Sequence, residues 1–323
     1  GTYYSSIEAA QYILYVNQVQ ITGKSYITIQ DLDFRYGGHH GIMFDGYESY
    51  NNSDNIIIQR NDFSYIGGAY ENGTERGGNG IEIYSQASNV TVRYNTFNQI
   101  YDCAMAAENG ESNRAFSNMN FYYNLVTNSE NGFALLMMGA NTTISNVNFS
   151  NNVIYNNGGG WSHPQRPDLL GTAFLFFGSN ANTSNVYIEN NIVHTSTQWH
   201  VYLYSTYKDF ANFVWNHNLY YPDFATAFSY YGTTYNFAGW KSVTGKDANS
   251  IISDPLFANA SGANFHLTSN SPAINAGTNV GLTRDFDGIT VPQGSAPDIG
   301  AYEYVEDVGI LGDLNSDGKV DVA

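Results

Sequence analysis

The sequence predicts an all-β fold: a right-handed, single-stranded parallel β-helix with an asparagine ladder and an irregular C-terminal cap. Three observations carry this expectation. First, the pattern apolar-x-apolar-x-x-Asn-x-apolar recurs as NIIIQRNDF, NVTVRYNTF, NMNFYYNLV, NVNFSNNVI, NVYIENNIV and NFVWNHNLY, with its asparagine at Asn61, Asn95, Asn124, Asn152, Asn191 and Asn218. Second, counting from an earlier copy, YITIQDLDF, with Leu32 in that slot, the copies lie 29, 34, 29, 28, 39 and 27 residues apart. That is the period of a solenoid whose longer intervals absorb loop insertions. Third, 27 Tyr, 19 Phe and 32 Gly beside only 13% charged residues favour strands and turns over helices.

Each copy holds about three short strands, which stack into rungs about 4.8 Å apart. An inward asparagine repeated at one corner bonds to its equivalents above and below and to turn backbone, so the buried amides satisfy one another. After each ladder position the chain crosses a loop and enters HGIMFD, NGIEIY, DCAMAA, NGFALL, GTAFLF or HVYLYS. If Ile42, Ile81, Ala104, Phe133, Ala173 and Val201 face inward, then Met43, Glu82, Met105, Ala134, Phe174 and Tyr202 form an outward column. Asp45 and Tyr84 follow two residues on, and His40, Asn79, Asp102 and Asn131 stand at the strand mouth. This register gathers His40, Asp45, Glu82 and Asp102 on one side of three consecutive coils.

Coils are therefore expected over residues 1–220. Residues 221–305, with the irregular stretches SDPLFANASGANFHLTSNSPAINAG and APDIGAYEY, read as a cap over the open end of the solenoid. Residues 306–323 form a linker and a calcium-loop fragment. There DLNSDGKVDVA matches D-x-[DN]-x-[DN]-G, so Asp313, Asn315, Asp317, Lys319 and Asp321 would hold calcium, with the twelfth ligand falling just past Ala323. The opening Gly1, without a signal pattern, reads as the start of a mature or trimmed product.

A formal charge of −17, from 29 acidic and 12 basic residues, repels nucleic-acid phosphates and anionic lipid. No apolar run reaches the roughly eighteen residues of a membrane helix. The single cysteine, Cys103, excludes an internal disulfide framework and reads as a small buried filler.

Asp102 is the first catalytic candidate, because it precedes a strand at the mouth with another acid on the adjacent coil; it also reads as a turn-capping aspartate. Glu82 is the second, the acid of its outward column. Two carboxyl groups, one protonated and one ionised, are what glycoside hydrolysis needs. Asp62 belongs to a different edge of the coil and is the reserve. His39 and His40 could hydrogen-bond sugar hydroxyls or orient a carboxylate. The loops 69–78 and 156–171 should overhang the mouth, making Arg76, Trp161, His163 and Arg166 candidates for cleft walls. Asp45, Tyr84 and Trp199 complete the expected substrate-binding set, aromatics serving as sugar-stacking faces.

The stretch FRYGGHHGI, NDFSYIGG, RGGNGIEIY and NQIYDCAM resembles the coils of secreted β-helix enzymes, and more narrowly glycoside hydrolase family 141, over residues 21 to 140. The resemblance implies two-carboxylate catalysis by Asp102 and Glu82 and a plant cell-wall polysaccharide, xylan above all, as substrate; it assigns no specific cofactor to catalysis. Where an aromatic residue often precedes the GNGI element, this chain has Gly77 and Gly78. The tail, with its preceding GILG, resembles the first half of a dockerin. That implies an extracellular, cellulosome-associated enzyme whose intact dockerin binds calcium and a cohesin. Two alternatives stand beside the hydrolase. One is a pectate-type polysaccharide lyase using a Lys or Arg base, with Lys208, Arg166 and Arg76 as candidates. The other is a non-catalytic polysaccharide-binding solenoid.

Overall fold

The computed structural model describes residues 17–44, 52–71, 75–84, 86–178, 182–204 and 210–306. Asp45, Lys208 and the predicted calcium ligands Asp313, Asn315, Asp317, Lys319 and Asp321 lie outside the described residues.

Parallel strands form three sheets that wind into a solenoid. The first sheet includes, in stacking order, Ile42–Phe44, Ile81–Tyr84, Cys103–Asn109, Asn131–Met137, Thr172–Gly178, Trp199–Leu203 and Phe228–Tyr230. The second includes Ser53–Gln59, Ala87–Arg93 and Ala115–Tyr122, and the third Asp62–Ile66, Thr96–Ile100, Leu125–Thr127 and Val153–Asn157. Inward side chains from all three, among them Ile58, Ile81, Val92, Phe97, Phe121, Phe133, Phe149 and Phe176, fill one continuous core.

Between the second and third sheets the chain turns sharply because one residue per coil takes a left-handed conformation: Arg60, Tyr94, Tyr123, Asn151, Asn190 and His217, with φ between 52° and 58°. The next residue is the ladder asparagine. Each side chain from Asn61 to Asn191 donates through Nδ2 to Oδ1 of the next asparagine at 3.0 Å. The same amides donate to backbone carbonyls of the preceding strand, as Asn95 does to Ile58. The ladder is the predicted one, and it ends on a substitute: Asn218 receives no seventh asparagine, and its backbone N–H donates to Ser250 Oγ while Nδ2 faces Asp247.

The register of the first sheet differs from the expected one in two coils. Ile81 stacks on Met105 and Phe133 on Phe174, so Met105 and Phe174 point into the core, and the outward column runs Met43, Glu82, Ala106, Ala134, Leu175, Tyr202. Asn79 consequently pairs with Cys103 rather than Asp102. The run CAMAA carries no polar residue to mark its faces, and a one-residue slip exchanges every side chain between them.

Parallel pairing continues past residue 220, through Phe228–Tyr230 and Ile251–Ile252. The end of the core is closed by a feature the sequence reading did not anticipate, the helix Phe237–Thr244. Asn236 caps its start by accepting from Gly239 N, and Phe237 and Trp240 are buried against Phe228 and Trp215. The helix lies within residues 221–305, the segment expected to cap the solenoid, and the later part of that segment runs back along the flank. Phe265, Leu267, Ala273, Ile299 and Ala301 pack on Tyr123, Leu125, Val153, Ile192 and Leu219. These coil residues form an apolar outer corner, and the returning chain removes it from water.

Candidate active site

Glu82 is the anomaly of the first sheet. It lies on the outward column, yet its side chain is 2% exposed, and its neighbours in that column are Met43 and Ala106. Asn79, three residues earlier, donates through Nδ2 to Glu82 Oε2. The other oxygen, Oε1, is buried without a hydrogen-bond partner among the described residues. Burial pushes the carboxyl pKa well above its ordinary value; Glu108 raises it further, the Asn79 amide opposes the shift, and Asp102 adds to it. Burial, one unpartnered oxygen and two nearby acidic side chains all favour the protonated form of this acid over the ionised one.

Asn79 is itself fixed from two sides. Its Oδ1 accepts from Cys103 N at 2.7 Å, and its backbone N–H donates to His40 Nδ1 at 3.0 Å. Burial holds the His40 pKa well below normal, with His39 adding to the effect, so His40 is a neutral ring whose Nδ1 serves as acceptor. Both histidines are 8% exposed and lie with ring centroids 3.9 Å apart. His40 supports the Asn79 backbone, while His39 Nδ1 meets Asn17 Oδ1 at 3.0 Å.

Asp102 occupies the corner just before Cys103–Asn109, with 29% of its side chain exposed. Its Oδ1 accepts from Asn131 Nδ2 at 3.1 Å and lies 3.3 Å from Arg166. Arg166 comes from the insertion after Val153–Asn157, and it also donates to both oxygens of Asp168 and to Tyr101 O. Burial opposes its charge, but Asp102 and Asp168 outweigh this and raise its pKa.

The same insertion is anchored at two further points. Trp161 Nε1 donates to Gln99 O at 2.8 Å with its ring against Tyr101, and His163 Nδ1 meets the buried Glu130 at 3.1 Å. From the earlier loop, Arg76 donates to Gly68 O and Gln165 Oε1 and lies 5.1 Å over the Tyr101 ring. The expected overhang of the mouth therefore exists. Trp161 Nε1 and His163 Nδ1, however, are engaged in holding the loop.

The structure brings Glu82 and Asp102 to one side, with Tyr84 beside them in the row that stacks on Glu108. Glu108 was missed in the sequence. The correct register would have found it, because Ala106 opposite Glu82 places Glu108 on the same outward face two residues on. Trp199 stacks three rungs beyond Cys103, through Asn131 and Thr172, and packs on Tyr202 with centroids 4.6 Å apart. Asp62 lies on the third sheet, exposed, stacked on Asp33 and accepting from Thr96 Oγ1, on a different sheet from Glu82 and Glu108.

The family described as "Right handed beta helix region" matches residues 12–238. Among solved structures, the crystal structure of pectate lyase Pel9A is similar with a TM-score of 0.40 and 14% sequence identity, covering 91% of this chain and 85% of that one. No curated protein matches the chain.

Proposed function

The chain belongs to the right-handed β-helix family, and from that premise we propose that it is a polysaccharide-active enzyme that hydrolyses glycosidic bonds on its first sheet. The observation supporting this reading is the buried Glu82, whose pKa burial raises, beside the more exposed side chain of Asp102. Two acids in contrasting environments divide the labour of glycoside hydrolysis. Glu82 gives its proton to the leaving glycosidic oxygen as the bond from sugar carbon to oxygen breaks. Water adds to the sugar carbon and loses its proton to Asp102. Glu108 keeps Glu82 protonated between turnovers, while Arg166 and Asn131 orient Asp102.

A neutral glycan such as xylan suits the acidic chain better than a polyuronate, which a charge of −17 would repel. The narrower expectations belong to the same proposal: a family 141 type of hydrolase, secreted, and tethered through a calcium-loaded dockerin to a cohesin. The tether rests on the spacing from Asp313 to Asp321 alone.

A polysaccharide lyase is the second reading, favoured by the guanidinium of Arg166 at the mouth. A base must shed its proton before it can abstract one. Arg166 is kept charged by Asp102 and Asp168, which counts against Arg166 itself as the base and leaves Arg76 or Lys208 for that role in a lyase.

Product analysis on xylan and polygalacturonate separates these readings. Hydrolysis releases reducing ends without ultraviolet absorbance, and Glu82→Gln and Asp102→Asn abolish it. Unsaturated ends on polygalacturonate would establish the lyase, and retention on either polymer without products would leave a binding solenoid.

A further inference from the structure

A second groove lies on the third sheet, remote from the acids of the first. It encloses about 620 Å³, within the range of small-molecule sites. One wall is the outward face of the strands Thr96–Ile100, Leu125–Thr127 and Val153–Asn157; the other is the turn Ala260–Gly262 with Phe265 from the returning chain. Its lining contains no Asp, Glu, Lys or Arg.

The groove carries a row of amides. Asn128 Nδ2 donates to Asn98 Oδ1 at 2.9 Å, and Asn156 Nδ2 to Asn128 Oδ1 at 2.7 Å. Thr127 Oγ1 also donates to Asn98 Oδ1. Among the described residues this leaves donors on Asn98 Nδ2 and an acceptor on Asn156 Oδ1 without side-chain partners. Beside the row stands the half-buried Tyr155, whose ring is 5.5 Å from Phe265.

We infer that this groove binds a neutral saccharide as a site separate from the catalytic mouth. A pyranose presents an apolar C–H face and a rim of hydroxyls that both donate and accept. The half-buried Tyr155, backed by the buried Phe265, offers an apolar edge, and the ends of the amide row offer one donor set and one acceptor. The absence of cations in the lining gives a uronate nothing to pair with. Such a site would hold a polymer strand against the flank of the solenoid, and its effect on a long chain would be that of a second attachment point. The inference does not depend on which reaction the first sheet performs.

The test is titration of xylotetraose, cellotetraose and trigalacturonate into isotope-labelled Glu82→Gln protein, followed by the amide resonances of Asn98, Asn128 and Asn156. One or both neutral sugars should shift these resonances, and trigalacturonate should not. Ser261→Arg, on the exposed turn, and Asn98→Leu should each weaken that binding about tenfold or more. Ser261→Arg keeps the result interpretable should Asn98→Leu fold poorly. The inference is overturned if no neutral sugar shifts the groove at millimolar concentration, or if Ser261→Arg leaves the affinity unchanged. Groove shifts in the variant, together with a parent protein that releases no products from xylan, would sink the hydrolase reading and leave this one standing.

Discussion

The side-chain amide of Asn79 ties Glu82 to the next coil, donating to its Oε2 while Asn79 Oδ1 accepts from Cys103 N at 2.7 Å. That donation stabilises the ionised form of Glu82 and opposes the upward pKa shift caused by burial and Glu108. Asn79→Ala should therefore raise the Glu82 pKa further. The alkaline limb of the kcat/KM profile, where a proton donor is lost, should move to higher pH, with activity at the optimum about tenfold lower or worse. An unmoved limb would show that Glu82 is not the titrating acid.

Glu82→Gln should lower hydrolysis by about 10²–10⁴. Its effect on stability has the opposite sense at high pH. The folded-state pKa of Glu82 lies above its ordinary 4.5, so its contribution to stability is fully present below that value and is lost as pH rises through the folded pKa. Thermal melts should show the variant gaining on the parent as pH rises above 4.5 and through the raised folded-state pKa.

Asp247 should dominate the pH dependence at the closed end of the solenoid. It is fully buried and accepts from Ser250 Oγ and from Trp240 Nε1 at 2.7 Å. Burial raises its pKa from 3.8 to about 6, against the opposing pull of its hydrogen bonds. Stability from its protonated form is thus complete below about pH 4 and lost as pH rises to about 6, amounting to about 3 kcal/mol at most. Denaturant titrations across that window should lose this slope in Asp247→Asn.

The ladder should be intolerant in its middle and forgiving at its start. Asn124→Leu strips partners from Asn95, Asn152 and the Val92 carbonyl together and should cost about 3 kcal/mol or more. At the first position, Asn61→Leu strips partners from Leu32 N and the Ile29 carbonyl but from no preceding ladder amide, and Asn95 Oδ1 keeps the Asn61 backbone donor. It should cost less, about 2 kcal/mol, and urea midpoints of the two variants compare them directly.

Much of this was readable from the chain. The asparagine period gave the coils and the ladder, because a solenoid repeats one local solution to burying backbone and amide polarity, and repetition survives as sequence. Polarity marked the faces of GIEIY, so Glu82 could be placed outward. In CAMAAEN the same test failed, Met105 was assigned to the wrong face, and Glu108 went unseen. The aromatic and basic loop residues were found, but not their uses: whether Trp161 offers its ring to a ligand or its N–H to Gln99 depends on where the loop lands.

The sequence by itself determined the solenoid, its amide ladder and the side on which Glu82 and Asp102 meet, since each follows from periodicity along one strand or between neighbouring coils. Only the tertiary structure decided that Glu82 is buried, that Arg166 pairs with Asp102, and that the C-terminal segment lies along the flank. Burial, pKa and long-range pairing arise from groups distant along the chain, and their free energy depends on the surroundings that folding assembles rather than on any local pattern.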